Sequence, residues 1–230
     1  MKRRLVKRLF TFIVFVGILA LALYTIHLTQ NQVSLFNSRE AALIRNGGFE
    51  EGTLRGWGAS VVDGSTDTSV VAVAKYEPYD GEYCLALVLD GRARLVRVEP
   101  QIEQIRLNKI GGFSVAYRLM NNSEVGLKVT FLLKDTRSNE LRSLIYILYN
   151  KGTAYIYYNE TNQLVFNIGD ANPKWSKIER NIIRDLTSYW VKDNPTNFII
   201  LNINIELYRA TDKPFMGVVF AFIDEFTLKD

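Results

Sequence analysis

The sequence predicts an all-β fold, an antiparallel β-sandwich set behind an apolar N-terminal segment, and three observations carry that expectation. Runs rich in Val, Ile, Tyr, Phe and Leu recur from residue 60 to the C-terminus, separated at short intervals by turn-forming residues. No long amphipathic helices are interleaved with them, which argues against a parallel α/β sheet. Within the runs polar and apolar residues alternate. Asn202, Asn204 and Glu206 alternate with Ile203, Ile205 and Leu207, giving one wet and one buried face.

The leader comes first. Lys2, Arg3, Arg4, Lys7 and Arg8 form a basic stretch, residues 1–8, ahead of a segment at 9–27 that holds no Asp, Glu, Lys or Arg. Its run from Leu9 to Ile26 would span about 27 Å as a helix at ~1.5 Å per residue, close to the roughly 30 Å of a bilayer core. Cations on its N-terminal side place that end in the cytoplasm and the remainder outside. Ala20-Leu21-Ala22 also fits a signal-peptidase site, so the segment reads either as a retained membrane anchor or as a cleaved leader that yields a secreted domain. Residues 28–42 turn polar and read as a stalk.

The five leader cations also account for the basic character of the chain. Beyond Arg8, 23 Lys and Arg face 24 Asp and Glu, a net charge of −1, so the folded part lacks the basic excess that nucleic-acid binding requires. Cys84 is the sole cysteine and His27 the sole histidine. These counts exclude an intrachain disulfide, Ser-His-Asp or Cys-His catalysis, and a zinc site built from Cys and His.

The expected strands follow in order: 60–62, 70–74, 83–89, 94–99, 112–119, 126–134, 143–149, 153–158, 163–168, 175–181, 198–208 and 218–228. Asn150-Lys151-Gly152 and Asn159-Glu160-Thr161-Asn162 carry turn chemistry, so residues 143–168 read as a three-strand meander. One segment breaks the pattern. Ile182, Leu186, Tyr189 and Trp190 recur at helical spacing, and Asp185 is placed to cap a short helix near residues 185–192 that ends before Asn194-Pro195.

Two terminal motifs narrow the reading. Asn46-Gly47-Gly48-Phe49-Glu50-Glu51-Gly52 runs on to Gly56-Trp57, and Phe222-Ile223-Asp224-Glu225-Phe226-Thr227-Leu228 closes the chain. Together they resemble the first and last strands of carbohydrate-binding-module-type jelly rolls, the galactose-binding-like β-sandwiches, over residues 43–230. The resemblance implies that the two motifs meet in space although nearly the whole domain separates them. It also implies one structural calcium where they meet, held by Glu50, the Gly48 carbonyl, Asp224 and the loop at Asp80 and Glu82. The alternative is that Glu50 and Asp224 cap strand ends or pair with Arg45 or Lys229.

The same resemblance implies a glycan as partner, bound by stacking aromatic rings. Tyr155, Tyr157, Trp175 and Trp190 are the candidates, and ordinary cross-strand packing is the alternative for each. Trp57 and Cys84 are expected in the core. Glycoside hydrolysis would need a carboxylate pair from Glu50, Glu51, Asp224 and Glu225, but neighbouring strand residues point to opposite faces, so each doublet offers one carboxylate per side. The chain is therefore expected to be no enzyme. Asn121 and Asn159 head acceptor sequons for glycosylation. The expectation is a membrane-tethered extracytoplasmic module that recognises a glycan and uses calcium for stability; the alternative is a structural or adhesive surface subunit that pairs through edge strands.

Overall fold

The structure is a computed structural model, and it describes residues 43–62, 69–120, 125–150, 158–160, 162–169, 173–212 and 214–229. Leu43–Asp230 forms one compact unit. The segment at 9–27, the stalk and the basic stretch lie outside the described residues, among which no helix is long and apolar enough to cross a membrane.

Among the described residues thirteen strands build two sheets. They are β1 (Trp57–Val62), β2 (Val70–Ala74), β3 (Cys84–Asp90), β4 (Leu95–Pro100), β5 (Ile105–Arg106), β6 (Gly112–Met120), β7 (Val125–Asp135), β8 (Leu141–Asn150), β9 (Tyr158–Glu160), β10 (Gln163–Asn167), β11 (Ser176–Arg180), β12 (Phe198–Arg209) and β13 (Val218–Lys229). The larger sheet has the order β1-β4-β12-β7-β8-β10-β9, with β5 also pairing to β12; the smaller has the order β11-β6-β13-β3-β2. The last strand thus lies inside the smaller sheet, between β3 and β6.

Alternation explains the sandwich. Along β7 the inward Val125, Leu127, Val129, Phe131 and Leu133 are fully buried, while Lys128, Thr130, Leu132 and Lys134 between them are only partly covered. Inward residues of both sheets, such as Val96, Val98, Ile203 and Ile205 on one side and Leu85, Leu87, Ala221 and Ile223 on the other, join one core. Strand β3 departs from this rule. Its outward Cys84 and Ala86 are buried too, because Phe222 and loop residues cover the outer face of the smaller sheet there.

The expected strands match the observed ones closely, apart from the pairing of β10, the start of the helix and the short strand β5. Strand β10 runs parallel to β8 and carries β9 antiparallel on its far side, so residues 143–168 are not a meander. The expected strand 153–158 lies outside the described residues except for Tyr158. The single α-helix among the described residues, α1 (Ile182–Tyr189), begins earlier than expected because Asn181 is the cap: its Oδ1 accepts from the Arg184 amide at 2.8 Å. Asp185 is instead a buried first-turn residue, accepting hydrogen bonds from Arg180 Nη2 at 2.7 Å and from the Tyr146 hydroxyl at 3.0 Å. The two-residue strand β5 has no signal in the sequence that would distinguish it from loop.

Candidate functional site

The opening and closing motifs meet. The Phe226 amide donates to the Gly47 carbonyl at 2.9 Å. A side chain at Gly47 would place its Cβ 2.0 Å from the Phe226 carbonyl oxygen, so only glycine allows this approach. Trp57 locks the turn that follows. Its indole donates to the carbonyls of Arg45 (3.1 Å) and Asn46 (3.2 Å), and its ring packs on Phe49 at 5.1 Å and edge-on to Phe226 at 6.0 Å.

A bulge in β13 then turns two carboxylates out of the ladder. The pairing with β6 shifts register between Asp224 and Thr227, and Glu225 takes a left-handed φ of 45°. The bulge returns Phe226 to the core and leaves Asp224 and Glu225 at an open cleft of about 440 Å³, lined also by Gly48, Glu50, Asp80 and Lys177. Glu50 Oε2 and Oε1 accept from the amides of Glu82 (3.0 Å) and Tyr83 (3.2 Å). Asp224 Oδ2 accepts from Tyr79 (3.0 Å) and Asp80 (3.3 Å), and Oδ1 from Glu225 (2.8 Å). The two carboxylates thereby pin the loop 79–83 to the sheet. Gly81, at φ 68°, passes so near that a Cβ would sit 2.4 Å from Glu50 Cδ.

The electrostatics of the cleft are unbalanced. Asp224 is 1% exposed, and among the described residues no Lys or Arg lies within ion-pair distance of it. Burial, despite its amide donors, pushes its pKa up to about 6, and the nearby Glu50 charge raises it further in the same sense. Both lysines at the cleft are committed elsewhere, Lys177 to Glu225 (2.5 Å) and Lys229 to Glu179 (2.7 Å).

Of the sequence-predicted oxygen donors, Gly48, Glu50, Asp80 and Asp224 share this cleft. Glu82 reaches it only through its amide; its carboxylate pairs with Lys75 at 2.8 Å out in solvent. Among the described residues no cluster of three or more His, Cys, Asp or Glu side chains is gathered in a metal-holding arrangement.

Beside the cleft stands an aromatic shelf. Tyr76 stacks on Phe222 at 5.3 Å, and Tyr79 meets Trp175 edge-on at 5.9 Å. Both tyrosines are about 40% exposed, at 43% and 40%. The shelf is fixed from beneath: the Trp175 indole donates to the Glu77 carbonyl (2.7 Å), and Arg118 bonds the Glu77 carboxylate (2.6 Å) and the Pro173 carbonyl (2.8 Å). Lys177 Nζ lies 5.5 Å from the Tyr79 ring centre. Tyr76 and Tyr79 are absent from the sequence-based candidates, although two tyrosines around Glu77-Pro78 in a loop next to the metal-loop motif are the signal that marks them.

The other aromatic candidates differ. Trp190 is 7% exposed, stacked on Phe198 at 6.2 Å and covered by the Arg142 guanidinium at 4.9 Å, so it is a core residue and offers no ring face to a sugar. Tyr155, Tyr157 and Asn121 lie outside the described residues, and Asn159 falls on β9. Cys84 is buried, and burial pushes its thiol pKa up to about 11, which keeps it a small hydrophobe.

The outer face of the larger sheet is polar and self-contained. Glu206 lies between Arg97 (2.6 Å) and Lys128 (2.9 Å), with Asn202 bonding Glu99 at 3.1 Å beside them. Burial raises the Tyr208 phenol to about 12.

No family model matches the chain, and no curated protein matches it. Solved structures do. A family 61 carbohydrate-binding module in complex with β-1,4-galactotriose is 19% identical, with a TM-score of 0.41 over 82% of this chain and 98% of that one. The CBM22-1 xylan-binding domain of Paenibacillus barcinonensis is 14% identical, with a TM-score of 0.41 over 80% of this chain and 90% of that one. Trichoderma harzianum endoglucanase 3, of family GH12, is 10% identical, with a TM-score of 0.48 over 76% of this chain and 90% of that one. The described residues form an all-β sandwich, and the solved structures it is similar to include carbohydrate-binding modules.

Proposed function

We propose that this chain is a non-catalytic glycan-binding module, held outside the cytoplasm by residues 9–27, with a structural calcium between Glu50 and Asp224. The observation that carries the glycan reading is the shelf of Tyr76, Tyr79 and Trp175. It combines solvent-facing rings, which suit the apolar faces of pyranoses, with Glu77 and Lys177 at its margin to bond hydroxyls. The rings are preorganised, since the bonds from Trp175 and Arg118 to Glu77 fix them without a ligand.

Calcium takes several oxygen donors, carboxylate and carbonyl. Glu50 and Asp224 supply oxygens only, face one cleft, and among the described residues have no cationic side chain within ion-pair distance, so they suit a hard cation. Bound there, it would neutralise both carboxylates and brace the loop beneath Tyr79. The ion has no part in chemistry on a sugar.

The test is a polysaccharide and oligosaccharide panel probed with the full chain in detergent, with millimolar calcium and with chelator. The expected outcome is binding to at least one glycan that Trp175→Ala weakens about 10-fold or more, together with a melting temperature that falls on chelation. Absence of binding to every glycan would overturn the sugar reading, and an unchanged melting temperature would overturn the calcium.

One observation favours a second reading, an adhesive subunit. Val70 on the edge strand β2, with Val218 and Phe220 on β13, is exposed along the outer face of the smaller sheet. Concentration-dependent assembly in light scattering, without sugar affinity, would select it.

A further inference from the structure

Helix α1 and strand β11 wall a second cleft, of about 530 Å³, within the range of about 300–1,000 Å³ usual for small-molecule sites. Its charges are almost all spent internally. Asp185 is held by Arg180 and by the Tyr146 hydroxyl, and Glu179 by Lys229. Arg184 is the exception. Its backbone serves the helix, but among the described residues no acceptor meets its guanidinium. The lining therefore keeps one uncommitted cation with five fork-arranged donors, directly beside an exposed ring. That ring is Tyr189, 37% exposed and propped edge-on against Phe166 at 5.4 Å.

This cleft neighbours the first through shared lining residues. A smaller one of about 260 Å³ shares Lys229 with the Glu50–Asp224 cleft and shares Glu179, Arg180 and Asn181 with the α1 cleft. The three follow β11, whose five residues cover about 16 Å at ~3.3 Å each. An aromatic group stands at either end, Tyr79 with Trp175 at one and Tyr189 with Phe166 at the other.

We infer that an oligosaccharide lying along β11 is acidic, and that the α1 cleft takes the carboxylate of a hexuronate residue on Arg184, with Tyr189 against its ring. The inference rests on the glycan reading above and names its substrate class. A planar carboxylate matches the guanidinium fork in two parallel hydrogen bonds. A neutral sugar in the same place would cover Arg184 without giving it an anion, so acidic ligands are preferred to their neutral analogues.

The test is calorimetry on the full chain in detergent with tetragalacturonate, tetraglucuronate and the carboxyl-reduced forms of both. At least one acidic tetramer should bind about 10-fold tighter than its reduced form. Arg184→Gln should bring that acidic affinity down to the level of the neutral tetramers, with an unchanged melting temperature, since the side chain holds nothing in the fold. Neutral binding with no acidic preference, or a preference that survives Arg184→Gln, would overturn the inference and leave the glycan reading standing. If no tetramer, acidic or neutral, binds the wild-type chain, the inference falls, and the glycan panel above decides the glycan reading separately.

Discussion

Asp224 and Glu206 are both carboxylates buried at outward-turned strand positions, 1% and 4% exposed, one on each sheet. Their surroundings differ. Glu206 is met by two cations, Arg97 and Lys128, and its face of the larger sheet is closed on itself by charge. Among the described residues Asp224 is met only by three backbone amides, and burial raises its proton affinity despite them. Burial alone therefore does not mark a site. What marks it is burial without compensation, because a group whose charge the fold leaves unanswered retains the capacity to interact with something else.

The largest test removes the compensated carboxylate. Glu206→Ala leaves Arg97 and Lys128 facing each other across β12 with no anion between them. Breaking a fully buried pair costs about 3–5 kcal/mol, and because these cations are a quarter to a third exposed, the loss here should be about 2–3 kcal/mol. Urea midpoints measure it. A loss under about 0.5 kcal/mol would mean that the network is ornamental and that the contrast between the two faces is not one of stability.

The next test is the uncompensated carboxylate, in chelator so that no metal intervenes. The native state holds the Asp224 proton more tightly than the unfolded chain does, about 6 against an ordinary 3.8. Protonation thus favours the fold, and this group's contribution is lost as pH rises from about 4 to about 6. Relative to Asp224→Asn, which cannot titrate, the wild type should lose about 3 kcal/mol across that window and nothing further from pH 7 to 8. The lost acceptor in Asn adds an offset that does not vary with pH, so the difference curve is the measurement. A flat curve would mean that Asp224 is better solvated than its burial implies.

These two residues also show what was legible beforehand. Period-two alternation and turn residues located most strands to within a residue or two, because both signals are local. Asp224 could be singled out from the closing motif. Glu206 could be read only as one polar residue of a wet face, since its partners Arg97 and Lys128 come from strands far away in sequence. Trp175 and Trp190 look alike in the sequence, both in the loop-rich late segment. They part company only because Arg142 and Phe198 close over Trp190 while Trp175 stays at the surface on Glu77. The parallel pairing of β10 was hidden for a related reason. A turn such as Asn159–Asn162 shows that the chain reverses but not which earlier strand the next one will join.

The smallest test asks whether the self-contained face is wholly structural. Thr130, outward on β7 among the residues around Glu206, has a buried hydroxyl with no hydrogen-bond partner. An unmet buried hydroxyl costs free energy, and valine has the same shape without it, so Thr130→Val should stabilise the chain by about 0.5–1 kcal/mol, or about 1–4 °C in melting temperature. Glycan affinity should stay as it is, because the shelf of Tyr76, Tyr79 and Trp175 lies on the other sheet. Should affinity drop instead, the hydroxyl is a ligand contact held in reserve, the larger sheet binds sugar too, and an unpartnered group would prove the better guide to the site than an exposed ring.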